Sequence, residues 1–435
     1  MKFSRRDLFK SAAVATGGVA AGTAFDGFGV LRPATAAQAA GQSLPPAFDA
    51  LKPLGDRVQP IRAEELQVRV AHAQQLMSDA KPRFEALYVT PGTTLVYYTG
   101  VHWWPSERIL AFLVPRQGDP LLVAPAFEEG RLREQLRWPI EIRVWQEDES
   151  PYPIIEKWLL ERGIRTGKVG VEATTRYVFF DGLRQAAASL DYASGDPITV
   201  GCRAQKSPHE LELMRLACSA TCAVYKAVFA SLREGMTQRE VSELASRGYA
   251  RMGLQGEASV FFGASSALPH GSREEQVLRE GVGVMIDDGT TVEGYQSDVT
   301  RMSVLGKPPE KLQHAFEIVR HAQNAALAAA VAGRKCGSVD DAARKVITDA
   351  GFGPDYKYFS HRLGHGIGMD GHESPYLVRG NRTILKPGMT FSNEPGIYVV
   401  GDYGMRCEDD MVIAESGEAQ LLTPGFQASL ETPVA

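Results

Sequence analysis

Two aspartates beside apolar segments are the first residues in this sequence whose type and spacing could do chemistry. Asp287 closes the apolar run 282–286, and Asp298 opens a second strand-like segment eleven residues later, with Gly294 available for a turn between them. A hairpin would bring both side chains onto one face, where two buried carboxylates repel each other and lose hydration. A divalent cation would compensate both charges. The alternative is a pair of solvated aspartates in a turn.

A histidine cluster follows these aspartates in the sequence. Three of the nine histidines, His361, His365 and His372, fall within twelve residues. Glycines at 364 and 366, on either side of His365, allow a backbone or a ligand to approach closely. The cluster indicates a functional site, and the alternative is a set of unrelated surface histidines.

Two glutamates complete the candidate residues. Glu394 precedes Pro395-Gly396, and Glu408 follows fourteen residues later. The two-residue period of a strand would place Arg406 and Glu408 on one face. An arginine beside a ligating carboxylate can fix its orientation. The alternative is an ordinary hairpin with an Arg–Glu pair at the surface.

The elements that must position these residues alternate between strands and helices. Helical spacing is found at 63–80, 154–162, 207–232 and 238–252, with a helical pair over 309–351. Strand-like segments are found at 86–89, 94–98, 109–114, 120–124, 140–145, 169–172, 259–262, 282–286 and 299–304. This order predicts a chain of the α/β (α+β) class with two domains, the second of which carries the candidate residues.

The N-terminus has the pattern of an export signal. Ser4-Arg5-Arg6-Asp7-Leu8-Phe9-Lys10 resembles a twin-arginine signal, and a small-residue, weakly apolar stretch follows over 11–25. Possible A-x-A-like cleavage sites lie at 34–36 and 37–39. We expect export to the periplasm and no stable membrane insertion after cleavage, whereas an uncleaved anchor helix is the alternative. The predicted segments are a signal peptide at 1–39, a lead-in at 40–62, an N-terminal domain at 63–202, a catalytic domain at 203–425 and a tail at 426–435.

The composition excludes several classes of protein. Of 435 residues, 44% are hydrophobic, which is enough for globular cores, and the formal net charge is −5 without any block of basic residues. Nucleic acid is therefore not expected as a partner. The five cysteines contain no C-x-x-C pair, so a structural zinc knuckle is not expected.

The five potential ligands together resemble a known family. Their order in the chain is Asp287, Asp298, His365, Glu394 and Glu408. This set resembles the dinuclear metallopeptidases with the pita-bread fold, a family that includes methionine aminopeptidases, prolidases and Xaa-Pro aminopeptidases. Tyr97-Tyr98-Thr99-Gly100 resembles a strand-end motif in the accessory domain of the prolidase and creatinase branch, which methionine aminopeptidases lack. The resemblance implies a creatinase/prolidase-like N-terminal domain followed by a pita-bread catalytic domain.

The same resemblance implies roles for the ligands. Asp298 and Glu408 would bridge two divalent ions, with Asp287 on one ion and His365 and Glu394 on the other. Mn²⁺ is the expected metal, and Co²⁺, Fe²⁺ and Zn²⁺ remain open because oxygen ligands with one imidazole suit them all. The ions would share and acidify a water that attacks the scissile carbonyl, and Glu394 would pass on its proton.

The remaining roles are also implied by the resemblance. His270 and His361 would position the substrate, His372 would stabilise the oxyanion, and Arg406 would tune Glu408. The expected substrates are short proline-containing peptides, cut at Xaa-Pro bonds by a prolidase or an Xaa-Pro aminopeptidase. A homodimer is expected, in which the loop at 102–104 (His-Trp-Trp) reaches the partner's site.

Some features keep other functions open. Asp288 and Met302 depart from the pattern of many relatives without removing a ligand. A lyase on the same scaffold (some dimethylsulfoniopropionate lyases resemble this family), a metal-free creatinase-like hydrolase and a non-catalytic peptide-binding protein are the alternatives. A dipeptidase must also recognise the free carboxylate of its substrate, and Arg362, Arg379 and Arg382 are available for it.

Overall fold

A mixed six-stranded sheet organises the first part of the structure, which is a computed structural model describing residues 43–268, 271–272 and 274–434. The strands are β1 (Phe84–Val89), β2 (Ala111–Pro115), β3 (Leu121–Pro125), β4 (Glu141–Trp145), β5 (Lys168–Val171) and β6 (Asp191–Ser194). They lie in the order β4-β3-β2-β1-β5-β6, in which β1, β2 and β3 are antiparallel and the other three pairs are parallel. The predicted signal peptide at 1–39 lies outside the described residues.

Helices cover both faces of this sheet. They are α1 (Ala63–Asp79), α2 (Thr93–Thr99), α3 (Glu129–Gln135), α4 (Tyr152–Glu161), α5 (Tyr177–Ala186) and α6 (Asp196–Ala204). On β1, Leu87 and Val89 pack in a cluster with Val70 of α1, whereas Tyr88 packs in another cluster with Trp158 of α4. A strand that is covered on both faces is apolar at almost every position, which explains the continuous apolar runs of β2 and β3.

The second part of the structure contains two further sheets and two small hairpins. The helices are α7 (Pro208–Phe229), α8 (Gln238–Arg251), α9 (Glu310–Ala329) and α10 (Cys336–Asp349). One sheet has the order β11-β8-β7, with β7 (Ser259–Phe262), β8 (Gly283–Asp287) and β11 (Arg301–Val304). The other has the order β13-β12-β14-β17-β18, with β12 (Gly364–Gly366), β13 (Glu373–Leu377), β14 (Thr390–Asn393), β17 (Asp409–Ile413) and β18 (Ala419–Leu421). The hairpins pair β9 (Thr291–Val292) with β10 (Tyr295–Gln296) and β15 (Gly396–Val399) with β16 (Tyr403–Arg406).

Helix α7 begins where the sequence predicts. Ser207 is the N-cap and Pro208 follows it, where a proline loses no helical hydrogen bond. The Ser207 hydroxyl accepts from the backbone N–H of Glu210, and the Glu210 carboxylate accepts from the backbone N–H of Ser207 at 2.7 Å. This capping box satisfies two N–H groups that the helix itself leaves free.

One predicted strand is wrong. Residues 94–98 lie in the helix α2, so the motif at 97–100 marks the end of a helix and not the end of a strand. Threonine, valine and tyrosine favour strands only weakly, and tertiary packing decides here because Tyr97 and Tyr98 are both buried. Gly100 ends the helix with a left-handed φ of 73°, a conformation that glycine adopts without strain.

The cysteines and the lengths of the helices bear on cross-links and on membrane crossing. All five cysteines are buried and none forms a disulfide. Within the described ranges, no helix combines the length and the apolar character that a bilayer crossing requires.

Helix α10 anchors the segment that leads to the histidine cluster. The buried Asp340 carboxylate accepts from the backbone N–H of Leu363 at 2.9 Å and pairs with Arg344 at 3.0 Å. Arg344 in turn donates to the carbonyls of Phe359 and His361, both at 2.8 Å. The backbone on both sides of His361 is therefore fixed by one ion pair on the helix.

We predict that Asp340→Asn lowers the unfolding midpoint strongly, because it leaves the Arg344 charge buried without its partner. Breaking a buried pair costs about 3–5 kcal/mol. Asp349→Asn is the matched control, since Lys345 and Asp349 form a pair of the same spacing on the same helix but with exposed side chains. An exposed pair contributes about 0–1 kcal/mol. Thermal and urea unfolding of both variants would measure the two effects, and equal shifts would contradict the anchoring role.

Candidate metal centre

The sheet β11-β8-β7 brings the two aspartates together. Asp287 ends β8, and Asp298 lies just before β11, which pairs with β8 in antiparallel register. The chain between them folds into the β9–β10 hairpin, whose turn residues Glu293 and Gly294 both have positive φ, as a two-residue hairpin turn requires. Asp288 has a φ of 86°, and its carboxylate accepts from the backbone N–H of Ser259 at 2.9 Å instead of joining Asp287.

The histidine is held on β12, between β13 and β14. A Cβ atom at Gly364 would lie 2.1 Å from the carbonyl oxygen of Ser392, and one at Gly366 would lie 2.5 Å from that of Glu373. The backbones therefore pack too closely for any side chain on either side of His365. The Ser392 hydroxyl accepts from the backbone N–H of His365 at 3.0 Å and donates to Glu394 at 3.2 Å.

The five predicted ligands converge on one place. The potential ligand atoms of His365, Glu394 and Glu408 all lie within 4.8 Å of one another, and the same holds for Asp287, Asp298 and Glu408. Glu408 belongs to both groups, and Asp298 Oδ2 is 3.7 Å from His365 Nε2. Two groups of three ligands that share a carboxylate can hold two neighbouring ions.

The electrostatics of the cluster show a shortage of positive charge. Burial, together with the Asp287 carboxylate, raises the pKa of Asp298 well above its usual range. Burial and the charges of Asp298 and Glu394 raise the pKa of Glu408 in the same way. These carboxylates would ionise more readily with a cation between them, so the residues fit a divalent metal site.

Glu394 and His365 shift in opposite directions. Burial alone would raise the pKa of Glu394, but the hydrogen bond with His365, 3.3 Å from Nε2, and nearby positive charges lower it to about 2. Burial alone would lower the pKa of His365, but Glu394 and Asp298 outweigh it and raise the pKa to about 9. Without a metal, these opposite pKa shifts favour an imidazolium–carboxylate pair between His365 and Glu394.

Arg406 contacts the carboxylate cluster through its buried guanidinium. Its guanidinium is buried, donates to Asp287 and to the hydroxyls of Thr300 at 3.0 Å and Tyr398 at 3.1 Å, and lies 4.0 Å from Glu408. Thr300 donates to Glu408 at 2.7 Å. The direct contact of Arg406 is thus with Asp287, and it reaches Glu408 mainly through Thr300.

The auxiliary histidines take different positions. His361 Nδ1 is 3.7 Å from Glu394, its Nε2 is 2.7 Å from the Tyr398 hydroxyl, and burial lowers its pKa. His372 is exposed, and its ring stacks on that of His365 with centroids 3.6 Å apart. His270, the third of these predicted residues, lies outside the described residues.

Sequence reasoning missed several residues of the site. Tyr398 joins His361 to Arg406 and lies opposite Gly404 on the β15–β16 hairpin. The strand period starting from Arg406 and its partner Gly396 would have placed it on the same face. Asp410, whose pKa burial raises to about 7, accepts from the backbone N–H of Asp298 at 3.0 Å. No local sequence signal points to that contact, because 112 residues separate the two positions.

A cavity of about 510 Å³ is lined by His372 but by none of the five candidate ligands. Its lining includes His372 and residues from the ends of β1 and β5. The loop that carries His372 is clamped there: Asp370 accepts from the Thr93 hydroxyl at 2.5 Å and from Arg203 at 2.6 Å. Glu373 accepts from Arg203 and from Lys206, both at 2.5 Å.

Known proteins resemble this chain over most of its length. It is 33% identical to an Xaa-Pro dipeptidase of Lactobacillus delbrueckii subsp. lactis over 341 residues, which cover 77% of this chain and 91% of that protein. The crystal structure of dipeptidase PepE from Mycobacterium ulcerans matches with a TM-score of 0.79 and 30% identity, covering 86% of this chain and 100% of that one. The prolidase from Thermococcus sibiricus matches with a TM-score of 0.74 and 30% identity, over 83% and 97% of the two chains.

Two family models match two consecutive segments of the chain, and the boundary between them separates the six-stranded sheet from the later sheets. The creatinase/prolidase N-terminal domain matches residues 69–205, which contain the six-stranded sheet. The metallopeptidase model matches residues 212–415, which contain all five clustered ligands. With this domain order and this extent of identity, the chain belongs to metallopeptidase family M24 and is a peptidase with a creatinase/prolidase-type N-terminal domain.

Proposed function

We propose that this protein hydrolyses short peptides at Xaa-Pro bonds and uses two divalent cations to do so. The observation that carries the proposal is the pair of three-ligand groups that share Glu408. Asp287, Asp298, His365, Glu394 and Glu408 would hold the ions between their side chains. We keep Mn²⁺ as the first candidate and Co²⁺, Fe²⁺ and Zn²⁺ as alternatives, because carboxylates with one imidazole suit all four.

The bound ions would supply Lewis acidity and lower the pKa of a water molecule. Side chains of the protein would transfer the proton, orient the substrate and stabilise the developing negative charge. Glu394, whose low pKa keeps it ionised, is the proton acceptor and donor beside the scissile bond. His361, 3.7 Å from Glu394, would orient the substrate and the leaving nitrogen. His372, stacked on His365, would stabilise the negative charge that develops on the carbonyl oxygen.

The choice of proline peptides rests on the relatives. Proteins that are 32–33% identical to this chain are named Xaa-Pro dipeptidases, which supports dipeptides as the preferred length. A proline after the scissile bond has no N–H and adds a ring, so a site for it needs positioning groups other than backbone acceptors. His361 and His372 would provide them.

We also propose that the protein is a homodimer exported to the periplasm. The loop at 102–104 follows the end of α2, and the Trp104 side chain is 67% exposed. Exposed tryptophans are enriched at interfaces, which supports the expectation that this loop contacts a partner subunit. Export rests on the twin-arginine pattern at 4–10.

We predict that the metal-stripped mature protein hydrolyses no peptide and that Mn²⁺, Co²⁺ or Zn²⁺ restores cleavage of Ala-Pro. The assay would compare this dipeptide with the tripeptide Ala-Pro-Ala and with Ala-Ala as a control lacking proline. Faster turnover of the dipeptide supports a prolidase, and faster turnover of the tripeptide supports an aminopeptidase. Failure of every metal to restore cleavage of any of these, with two ions bound, would refute the proposed function.

The second prediction concerns Glu394. Glu394→Gln preserves the shape of the side chain but cannot accept a proton, so kcat should fall by about 10²–10⁴-fold. Metal content, measured by atomic emission, separates this effect from loss of an ion. Glu415→Gln, at an exposed position of the same charge type, is the control and should leave kcat unchanged. A Glu394→Gln variant with both ions and full turnover would exclude the proton-transfer role.

The third prediction follows from the raised pKa of His365. With a pKa of about 9, its imidazole is protonated at pH 7 in the metal-free protein, whereas a metal ligand must be neutral. Mn²⁺ binding at pH 7 should therefore release protons, and the affinity should rise as the pH increases from about 7 to about 9. Calorimetry in two buffers that differ in ionisation enthalpy would count the protons. Binding without proton release would contradict the imidazolium pair.

A further inference from the structure

The cavity of about 510 Å³ that His372 lines lies at the carboxyl ends of three parallel strands. Thr90 follows β1, Glu172 follows β5, and Asp196 lies two residues after β6, and all three line the cavity. In sheets with parallel strands, ligands bind in the crevice outside the carboxyl ends of the strands. The position of the cavity therefore indicates a ligand site, and the stacking of His372 on His365 connects it to the metal cluster.

Glu172 is a buried carboxylate in this cavity without a counter-charge. It accepts from the Thr94 hydroxyl at 3.3 Å, and from the backbone N–H and the hydroxyl of Thr174 at 3.1 Å and 2.5 Å. Among the residues that the structure describes, no lysine or arginine pairs with it, although only 8% of Glu172 is exposed. A carboxylate that is removed from water and bound only by neutral donors would be stabilised strongly by a cationic ligand.

The other charged residues of the cavity do not compensate this acid. Asp370 and Glu373 are both paired with Arg203, at 2.6 Å and 2.5 Å. Asp196 is exposed at the rim, and no ion pair connects it to another part of the described chain. Arg176 is the lining cation outside these pairs, and its guanidinium donates to a backbone carbonyl at 2.7 Å. Two unpaired acids therefore share the cavity with one exposed cation, which leaves an excess of negative charge.

The wall around Glu172 also has apolar parts. Phe179, Val200, Pro91 and Pro105 line the same cavity. A lysine or arginine side chain has an aliphatic stem and a charged end, so it can pack its stem on apolar surface while the end pairs with an acid. The cavity combines the two kinds of surface that such a side chain needs.

Resting on the proposed function, we propose that this cavity binds the side chain of a lysine or arginine that precedes the proline, and that Glu172 pairs with its charge. The carbonyl that His372 would stabilise belongs to the residue before the proline, so the side chain of that residue begins at the adjoining Cα atom. His372 also lines the cavity, so the cavity opens beside the place where that side chain begins. The favoured substrates are then Lys-Pro and Arg-Pro.

Two adjacent threonines of α2 connect Glu172 with the His372 loop. Thr94 donates to Glu172, and Thr93 donates to Asp370 at 2.5 Å. Asp370 lies two residues before His372, so the first turn of α2 contacts both the acid and the loop. If Glu172 served only to hold this turn, its replacement would slow the turnover of every dipeptide equally. Charge recognition predicts a loss confined to basic side chains, so the two roles are separable.

The test compares Lys-Pro with norleucyl-proline, whose side chain is also unbranched but uncharged, in the Mn²⁺-loaded protein. We expect kcat/KM to be about 10-fold higher for Lys-Pro, because the ammonium gains a charge-assisted hydrogen bond. Glu172→Gln should abolish this preference, while kcat/KM for norleucyl-proline changes by less than about 3-fold. The control Glu415→Gln, at an exposed position, should keep the preference.

A second variant changes the charge of the cavity in the opposite direction. Arg176→Gln removes the exposed lining cation and should raise the preference for Lys-Pro over norleucyl-proline by about 2–5-fold. Because Arg176 is exposed, this variant tests the charge of the cavity even if Glu172→Gln lowers the stability of the protein. An unchanged or lower preference in Arg176→Gln would count against the inference.

Calorimetry with n-butylguanidinium and n-butylurea supplies a readout that needs no turnover. The unsubstituted protein should bind the guanidinium, which mimics an arginine side chain, more tightly than the neutral urea, and Glu172→Gln should abolish that difference. If no Xaa-Pro peptide is cleaved but this binding pattern is found, the proposed function fails and the cation site at Glu172 stands. Equal kcat/KM for Lys-Pro and norleucyl-proline in the unsubstituted protein, or a Glu172→Gln variant that keeps the preference, would overturn the inference.

Discussion

Repulsion among the carboxylates of the metal cluster is the constraint on which the rest of this structure depends. Four acidic side chains lie within a few ångströms of one another, and among the described residues Arg406 is the buried arginine whose guanidinium contacts them directly. Such a group of charges stays together only if the backbone forces it and if cations or hydrogen-bond donors offset the repulsion. Much of the surrounding architecture serves one of these two purposes.

The backbone forces the ligands together by placing each at a strand terminus or within a short strand. Asp287 ends β8, Asp298 lies just before β11, His365 occupies β12, Glu394 directly follows β14 and Glu408 directly precedes β17. Strand ends that are tied into sheets are held more rigidly than loops, so the sheets fix the relative positions of the candidate ligands. The donors are equally fixed, since Thr300, Ser392 and the backbone N–H of Asp298 all belong to the same sheets or their connections.

The sequence predicts those parts of the structure that depend on local pattern. The helices α1 and α7 and the β2–β3 hairpin have clear periodicity or caps, and the sequence placed them within a few residues, whereas α9 and α10 were predicted only as a helical pair over 309–351. The five candidate ligands were recognised only as a set whose order resembles the family, because each motif alone also fits a turn, a group of surface histidines or an ordinary hairpin. The prediction of a strand at 94–98 failed because its residues favour strands only slightly. The burial of two tyrosines in the helix outweighed that preference.

What could not be predicted depends on contacts between distant parts of the chain. Arg406 was expected beside Glu408 because they are two residues apart, yet its hydrogen bond goes to Asp287, 119 positions away. The sequence around Tyr398 did not indicate a role in the site, because that role depends on the contacts of its hydroxyl with His361 and Arg406. Three arginines were equally available for a substrate carboxylate in the sequence, and the structure distinguishes them by their contacts, since Arg362 donates to His372 whereas Arg379 pairs with Asp355.

The contacts that hold the His372 loop come from a different part of the chain than the candidate ligands do. The shape of the entrance and the geometry of the ligands are therefore set by different segments. The five candidate ligands lie between residues 287 and 408, whereas the loop beside them is held through Asp370 by Thr93 and Arg203 of the N-terminal part. Substitutions around Thr93 can therefore reshape the entrance for a new peptide while the ligand geometry stays intact. An evolutionary lineage with this arrangement can change its preference among peptide substrates while its catalytic residues stay the same.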